Sequence, residues 1–177
     1  MSQHIFRDLA IRCGAIVCLA LAPLSPATAE AERSLDERCR AEVVELHQFL
    51  EAWSNAELPA NEEAFSRFGA VIAPGFSIVD PDGSVVERPP IVDAIRAAHG
   101  RWKARPGRIR IENFRLRHAA GGLALATYEE WHELPGGTTG RVSTVLFGAN
   151  PSTPNSVEWL HLHEVWMPAA ASGAGDG

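Results

Sequence analysis

Apolar side chains between residues 34 and 55 recur every three or four positions: Cys39, Val43, Leu46, Phe49 with Leu50, and Trp53. That spacing gathers them on one face of a helix. Ser34-Leu35-Asp36-Glu37 is a capping-box pattern at its start, so one long amphipathic helix is predicted from Ser34 to Asn55. Pro59 breaks the chain, and Asn61 can cap a second, shorter helix with Phe65, Phe68 and Ile72 on one face. Pro74-Gly75 is expected to end it. Phe76 to Val79 and Val85 to Glu87 read as short strands joined by the turn Asp80-Pro81-Asp82-Gly83, in which Pro presets φ and Gly accepts positive φ. Pro89-Pro90 opens a third helix, with Ile91, Ala94, Ile95, Ala98 and Trp102 as its buried stripe, and Pro106-Gly107 closes that segment.

Beyond it the period changes from helical to alternating. Four long strands are predicted: Arg108 to His118, Leu123 to Leu134, Gly140 to Phe147 and Val157 to Trp166, separated by Gly- and Pro-rich turns. In the first, Ile109 and Ile111 keep one phase, while Phe114 and Leu116 keep the other. A one-residue slip near Asn113 indicates a β-bulge, which bends and twists the strand. The class is therefore α+β: three N-terminal helices packed on a strongly curved mixed or antiparallel sheet, with a short hairpin between helices two and three. A pocket is expected between helix and sheet.

Composition narrows the function classes. The 177 residues are 46% hydrophobic and 21% charged, with a formal charge of -6. Seven of the 16 basic residues cluster (Arg101, Lys103, Arg105, Arg108, Arg110, Arg115 and Arg117), but no aromatic interleaving or phosphate loop accompanies them. They read as solvated charges balancing the acidic first helix, and no nucleic-acid partner is expected. Residues 1–29 have the form of an export signal: Arg7 and Arg12, an apolar run from Cys13 to Leu24, and Ala27-Thr28-Ala29 before Glu30. The run, about 12 residues, is too short for a stable membrane span. The expected organisation is a leader over 1–29, one domain over 30–168 and a small-residue tail over 169–177, with a periplasmic or secreted location if the leader is cleaved and a cytoplasmic one otherwise. Cys39 would remain alone after cleavage, a buried and inert thiol.

The order and lengths of these elements resemble the nuclear transport factor 2-like superfamily of cystatin-like cones, and within it the SnoaL-like, ketosteroid isomerase-like and uncharacterised bacterial branches. The resemblance is carried by Phe76 to Gly83, Ile91 to Gly100, Gly121 to Thr127, and His161-Leu162-His163, across roughly Leu35 to Met167. It implies a carboxylate base near Asp80, although the relatives' tyrosine donor is missing from the first helix, where Phe49 and Trp53 stand.

Alternation places Trp159, His161, His163 and Val165 on one face of the last strand and Leu160, Leu162, Glu164 and Trp166 on the other. His161 and His163 are thus candidate pocket bases, with Asp80 beside them; an ordinary Asx turn also explains Asp80. Tyr128, Glu130 and His132 share a face of a neighbouring strand. Two imidazoles are not a metal site, so neither metal nor cofactor is expected. Trp53, Phe68, Trp102, Tyr128 and Trp159 are the candidate ligand-lining residues. The reading is an exported domain binding a small, mostly apolar ligand; the alternative is a small isomerase, cyclase or dehydratase. Leu160, Leu162 and Trp166 need cover, which predicts a homodimer through the outer sheet face.

Overall fold

The computed structural model describes residues 33–168; the expected leader and tail lie outside the described residues. Helix α1 (Leu35–Ser54) starts on the predicted box: Ser34 Oγ accepts from the Glu37 backbone N–H, and Glu37 reaches back to the Ser34 N–H. Asn61 caps α2 (Glu62–Val71) by accepting from the Ala64 N–H. Strand β1 (Ile72–Val79) follows at once. Pro74-Gly75 lies within that strand rather than ending the helix, and the strand starts four residues before the expected Phe76. The strand starts where α2 stops because Ile72 is already extended, at φ -89° and ψ 110°. The turn Asp80–Gly83 leads into β2 (Val85–Glu87) and then α3 (Arg88–Ala97).

Strands β3 (Arg108–Ala120), β4 (Leu123–Leu134), β5 (Gly137–Ala149) and β6 (Val157–Trp166) form an antiparallel meander. The first strand pairs with the last in parallel, so the six-stranded sheet is mixed, in the order β2-β1-β6-β5-β4-β3. Its curvature has visible causes. Asn113 sits at φ 51° between the two phases of β3, where the pairing slips. A second slip falls in β6: Phe147 pairs with Trp159 but Leu146 pairs with His161, which leaves Leu160 as the extra residue.

The core lies between α1, α2 and the concave face. Cys39, Val43, Phe65, Val71, Ala126, Val145, Phe147 and Trp159 are all essentially sealed from solvent. A buried carboxylate pins one end of it. Glu42 accepts two bonds from Arg67, one from the Asn155 amide and one from the Trp159 indole. Four donors are what a desolvated carboxylate needs, and they tie α1 to α2, β6 and the β5–β6 loop.

Candidate functional site

A cavity of about 450 Å³ opens between α1, α3 and the concave face of the sheet. That volume falls in the ordinary range for small-molecule sites. Most of its wall is apolar: Leu46 and Leu50 from α1, Phe68 from α2, Ile72, Phe76 and Ile78 from β1, Ile91 and Ile95 from α3, and Leu134, Trp159 and Leu162 from the meander. The expected buried stripe of α3 is not buried. None of its residues is fully covered, and Ala94 is exposed. Ile91 and Ile95 pack against the edge of the core and also face the cavity.

One end of the cavity is polar, and strand register explains it. Tyr128, Ser143 and Glu164 are cross-strand neighbours, as are Glu130 and Arg141. All five point to the inner face because they stay in phase with Ala126 and Val145. Glu130 is the hub. Its carboxylate meets His47 Nε2 at 3.1 Å, His132 Nε2 at 2.6 Å and Arg141 Nε at 3.1 Å, and a further Arg141 nitrogen. His47 is oriented from behind by Nδ1 donating to the Val43 carbonyl at 2.6 Å. Arg141 also pairs with Glu164 at 3.0 Å. The Tyr128 hydroxyl is buried beside this group without a hydrogen-bond partner.

Charge placement sets the protonation of each group. Burial works against ionised Glu130, but His47, His132 and Arg141 outweigh it and hold the carboxyl well below its ordinary range. Burial also opposes a charged His47, yet Glu130 wins and raises it. Glu164 has weaker support. Burial lifts it, Arg141 pulls it back, and the repulsion of Glu130 leaves it at about 7. Burial, then Glu130 and Glu164, push the Tyr128 phenol well above its ordinary range. The site thus holds a fixed ion cluster beside one carboxyl that exchanges its proton near neutrality. Among the described residues no three His, Cys, Asp or Glu side chains are arranged to hold a metal ion.

The structure places the expected residues unevenly. Phe68, Trp102 and Trp159 line the cavity. Trp53 does not: it stacks on Phe49 and packs against Phe65 in the core, and its indole donates to the Ile95 carbonyl. Tyr128 sits behind the cavity wall. His161 and His163 are on the opposite side of the sheet, correcting the expectation that they look into the hollow. The slip at Leu160 reverses the phase, so Leu162 and Glu164 turn inward. His161 bonds the Ser77 hydroxyl at 2.9 Å, and His163 is exposed. Asp80 is outside the cavity and makes the Asx turn, accepting from the Asp82 and Ser84 N–H groups. The expected dimer set also divides. Leu162 belongs to the cavity, Trp166 donates its indole N–H to Asp82, and Leu160 packs over Gly148 on the outer side.

His47, Arg141, Glu164 and Arg101 escaped the sequence reading. A signal existed for three of them. His47 is one helical turn after Val43, and Arg141 shares the two-residue period of Ser143, Val145 and Phe147. Glu164 carried the same signal once the Leu160 slip is counted. A charged residue in the buried phase is the mark of an internal polar site.

Comparison with known proteins agrees with this architecture. The family model described as sucrose-6-phosphate phosphohydrolase C-terminal matches residues 39–168. Sucrose-phosphatase 1 and sucrose-phosphatase 2 of Nicotiana tabacum are each 24% identical over 132 residues, 74% of this chain and 31% of theirs. The chain therefore spans about a third of the length of these curated relatives. An NTF-2-like protein of unknown function from Pseudomonas aeruginosa superposes with TM-score 0.65 at 25% identity, covering 74% of this chain and 99% of that one. An uncharacterised cystatin-like protein from Caulobacter vibrioides gives TM-score 0.53 at 20% identity over 75% and 89% of the two chains. The CaMKII hub of S. rosetta gives 0.55 at 13% identity over 82% and 100%. The chain belongs to the sucrose-6-phosphate phosphohydrolase C-terminal family and has the nuclear transport factor 2-like fold.

Proposed function

We propose that this chain is an exported, pocket-bearing domain that binds a small, mostly apolar ligand in a binding or accessory role. The observation that carries the reading is an open cavity with aliphatic and aromatic walls and its charge gathered at one end. Such a division lets burial supply affinity and a few polar groups supply orientation. The partly buried Ile91 and Ile95 support it, since a ligand would complete their burial. The match to the C-terminal part of a phosphohydrolase agrees with an accessory role. Export rests on the leader pattern of residues 1–29.

Filling the cavity tests the reading. Ile95→Trp is expected to abolish binding of 1-octanol measured by calorimetry, while the circular dichroism spectrum stays that of the wild type. Undiminished binding to the filled variant would reject it.

A second reading has one specific support. Glu164, titrating at about 7 beside the cavity, has the poise of a general base in an isomerase, cyclase or dehydratase. Ligand recovered from the host and incubated with protein in deuterated water would then gain deuterium at carbon with the wild type but not with Glu164→Gln. No exchange with either protein favours pure binding.

A further inference from the structure

The polar end of the cavity contains two guanidinium groups, and only one of them is in direct ion pairs among the described residues. Arg141 is engaged by Glu130 and Glu164. Arg101 lines the same cavity from an exposed position; its guanidinium makes no hydrogen bond or ion pair among the described residues and lies over the Trp102 ring, 4.6 Å from the centroid. The two cations sense each other: burial first, then the charge of Arg141, hold Arg101 below the ordinary arginine range.

Arg101 is also held in place. The Gly100 and Trp102 N–H groups donate to the Trp53 and Ser54 carbonyls, which anchors this segment to the end of α1. The cation–π contact then directs the side chain. An arginine fixed in position, with its donors unused, beside an apolar cavity is arranged for an incoming acceptor. The carboxylates already present are engaged: Glu130 is surrounded by His47, His132 and Arg141, and Glu164 accepts from Arg141 and Ser143.

We propose that the pocket takes a monocarboxylate with an apolar body, its head on Arg101 next to Arg141 and its tail between α1, α3 and β1. This rests on the pocket-binding reading above and names its ligand class. One cation outside any direct ion pair suits one negative charge. The volume of about 450 Å³ lies in the lower part of the range for small-molecule sites. A medium-chain fatty acid or an aryl-alkanoic acid suits a site of that size. Burying such a tail also covers Ile91 and Ile95.

The test compares octanoate, 1-octanol and octylamine by calorimetry on the wild type, Arg101→Ala and Arg101→Lys. Octanoate is expected to bind the wild type about tenfold or more tightly than octanol, and octylamine the least. Arg101→Ala should remove that preference, bringing octanoate down to the affinity of octanol for the same variant; Arg101→Lys should keep part of it, because the charge remains while the stacked plane is lost. Octanol bound as tightly as octanoate, or an octanoate affinity indifferent to Arg101→Ala, would overturn the carboxylate assignment while the apolar pocket stands. Tightest binding of octylamine would overturn it too. Failure of all three probes to bind would reject the pocket reading itself, and this assignment with it.

Discussion

Glu164 and Glu130 are both buried acids next to Arg141, yet they are driven in opposite directions, and the difference is testable. Glu130 is held by the charges of His47 and Arg141 and by a hydrogen bond from His132, and stays ionised; Glu164 shares Arg141 and faces the charge of Glu130. For Glu164 the folded value of about 7 lies above the ordinary 4.5. Its contribution to stability is therefore complete below about pH 4.5 and is lost as the pH rises toward 7, by on the order of 3 kcal/mol. Glu164→Gln imitates the protonated form and should escape that loss. Urea denaturation of both proteins at about pH 5 and pH 8 should show the gap between them shifting in favour of the variant at the higher pH. Parallel pH profiles would show that Glu164 titrates normally. Glu130 has the opposite sign: its lowered value contributes stability above the ordinary range, lost as the pH falls through the folded value. Glu130→Ala leaves Arg141 and His47 buried without their main counter-ion, an expected loss of about 3–5 kcal/mol. A midpoint within error of the wild type would contradict the ion cluster.

At the scale of elements, the sequence was most legible where a single period ran unbroken. The capping box, the stripe from Cys39 to Trp53, the exact limits of β2, β4 and β6, and the slip at Asn113 all follow from spacing and turn chemistry. The second slip was not legible. On β3 the isoleucines and then Phe114 and Leu116 mark both phases, but β6 has bulky apolar side chains in each phase (Trp159 against Leu160 and Leu162), so nothing in the pattern shows where it reverses. This one residue moved the candidate site from the histidines to Glu164. The bulge geometry makes a prediction. Removing Leu160 takes out the extra residue and leaves Trp159, Leu162 and Glu164 in the same inward phase. The deletion variant should therefore fold, losing mainly the packing of Leu160 over Gly148, and the Glu164 carboxyl should still titrate near 7 by carbon-13 NMR. A Glu164 titrating in the ordinary carboxylate range in a folded deletion variant would show that the strand slid and turned it outward.

On the whole-molecule scale, the convex side of the sheet is the remaining exposed surface with an evident need. Leu125, Val142 and Val165 are large apolar residues left exposed there, on β4, β5 and β6, with the half-covered Leu146 among them and His163 at the side. No further helix among the described residues lies on that side, so an association through it is the proposal that covers them, now with Leu125, Val142 and Val165 in place of the Leu162 and Trp166 of the sequence reading. A two-fold axis over such a sheet places the same patch on both copies, as an isologous interface requires. A stable contact needs about 800 Å² per partner, which no three side chains supply, so the backbone of the central strands and the threonines between them must join it. Sedimentation velocity at micromolar concentration should therefore show a dimer for the wild type and a monomer for Val142→Glu with Val165→Glu, where two charges per copy would be desolvated in the centre of the contact. Since the cavity is on the other face, the monomeric variant should still bind the octyl probes. A wild type that sediments as a monomer would remove the dimer without touching the pocket, whereas a dimer indifferent to both glutamates would place the interface elsewhere on the molecule.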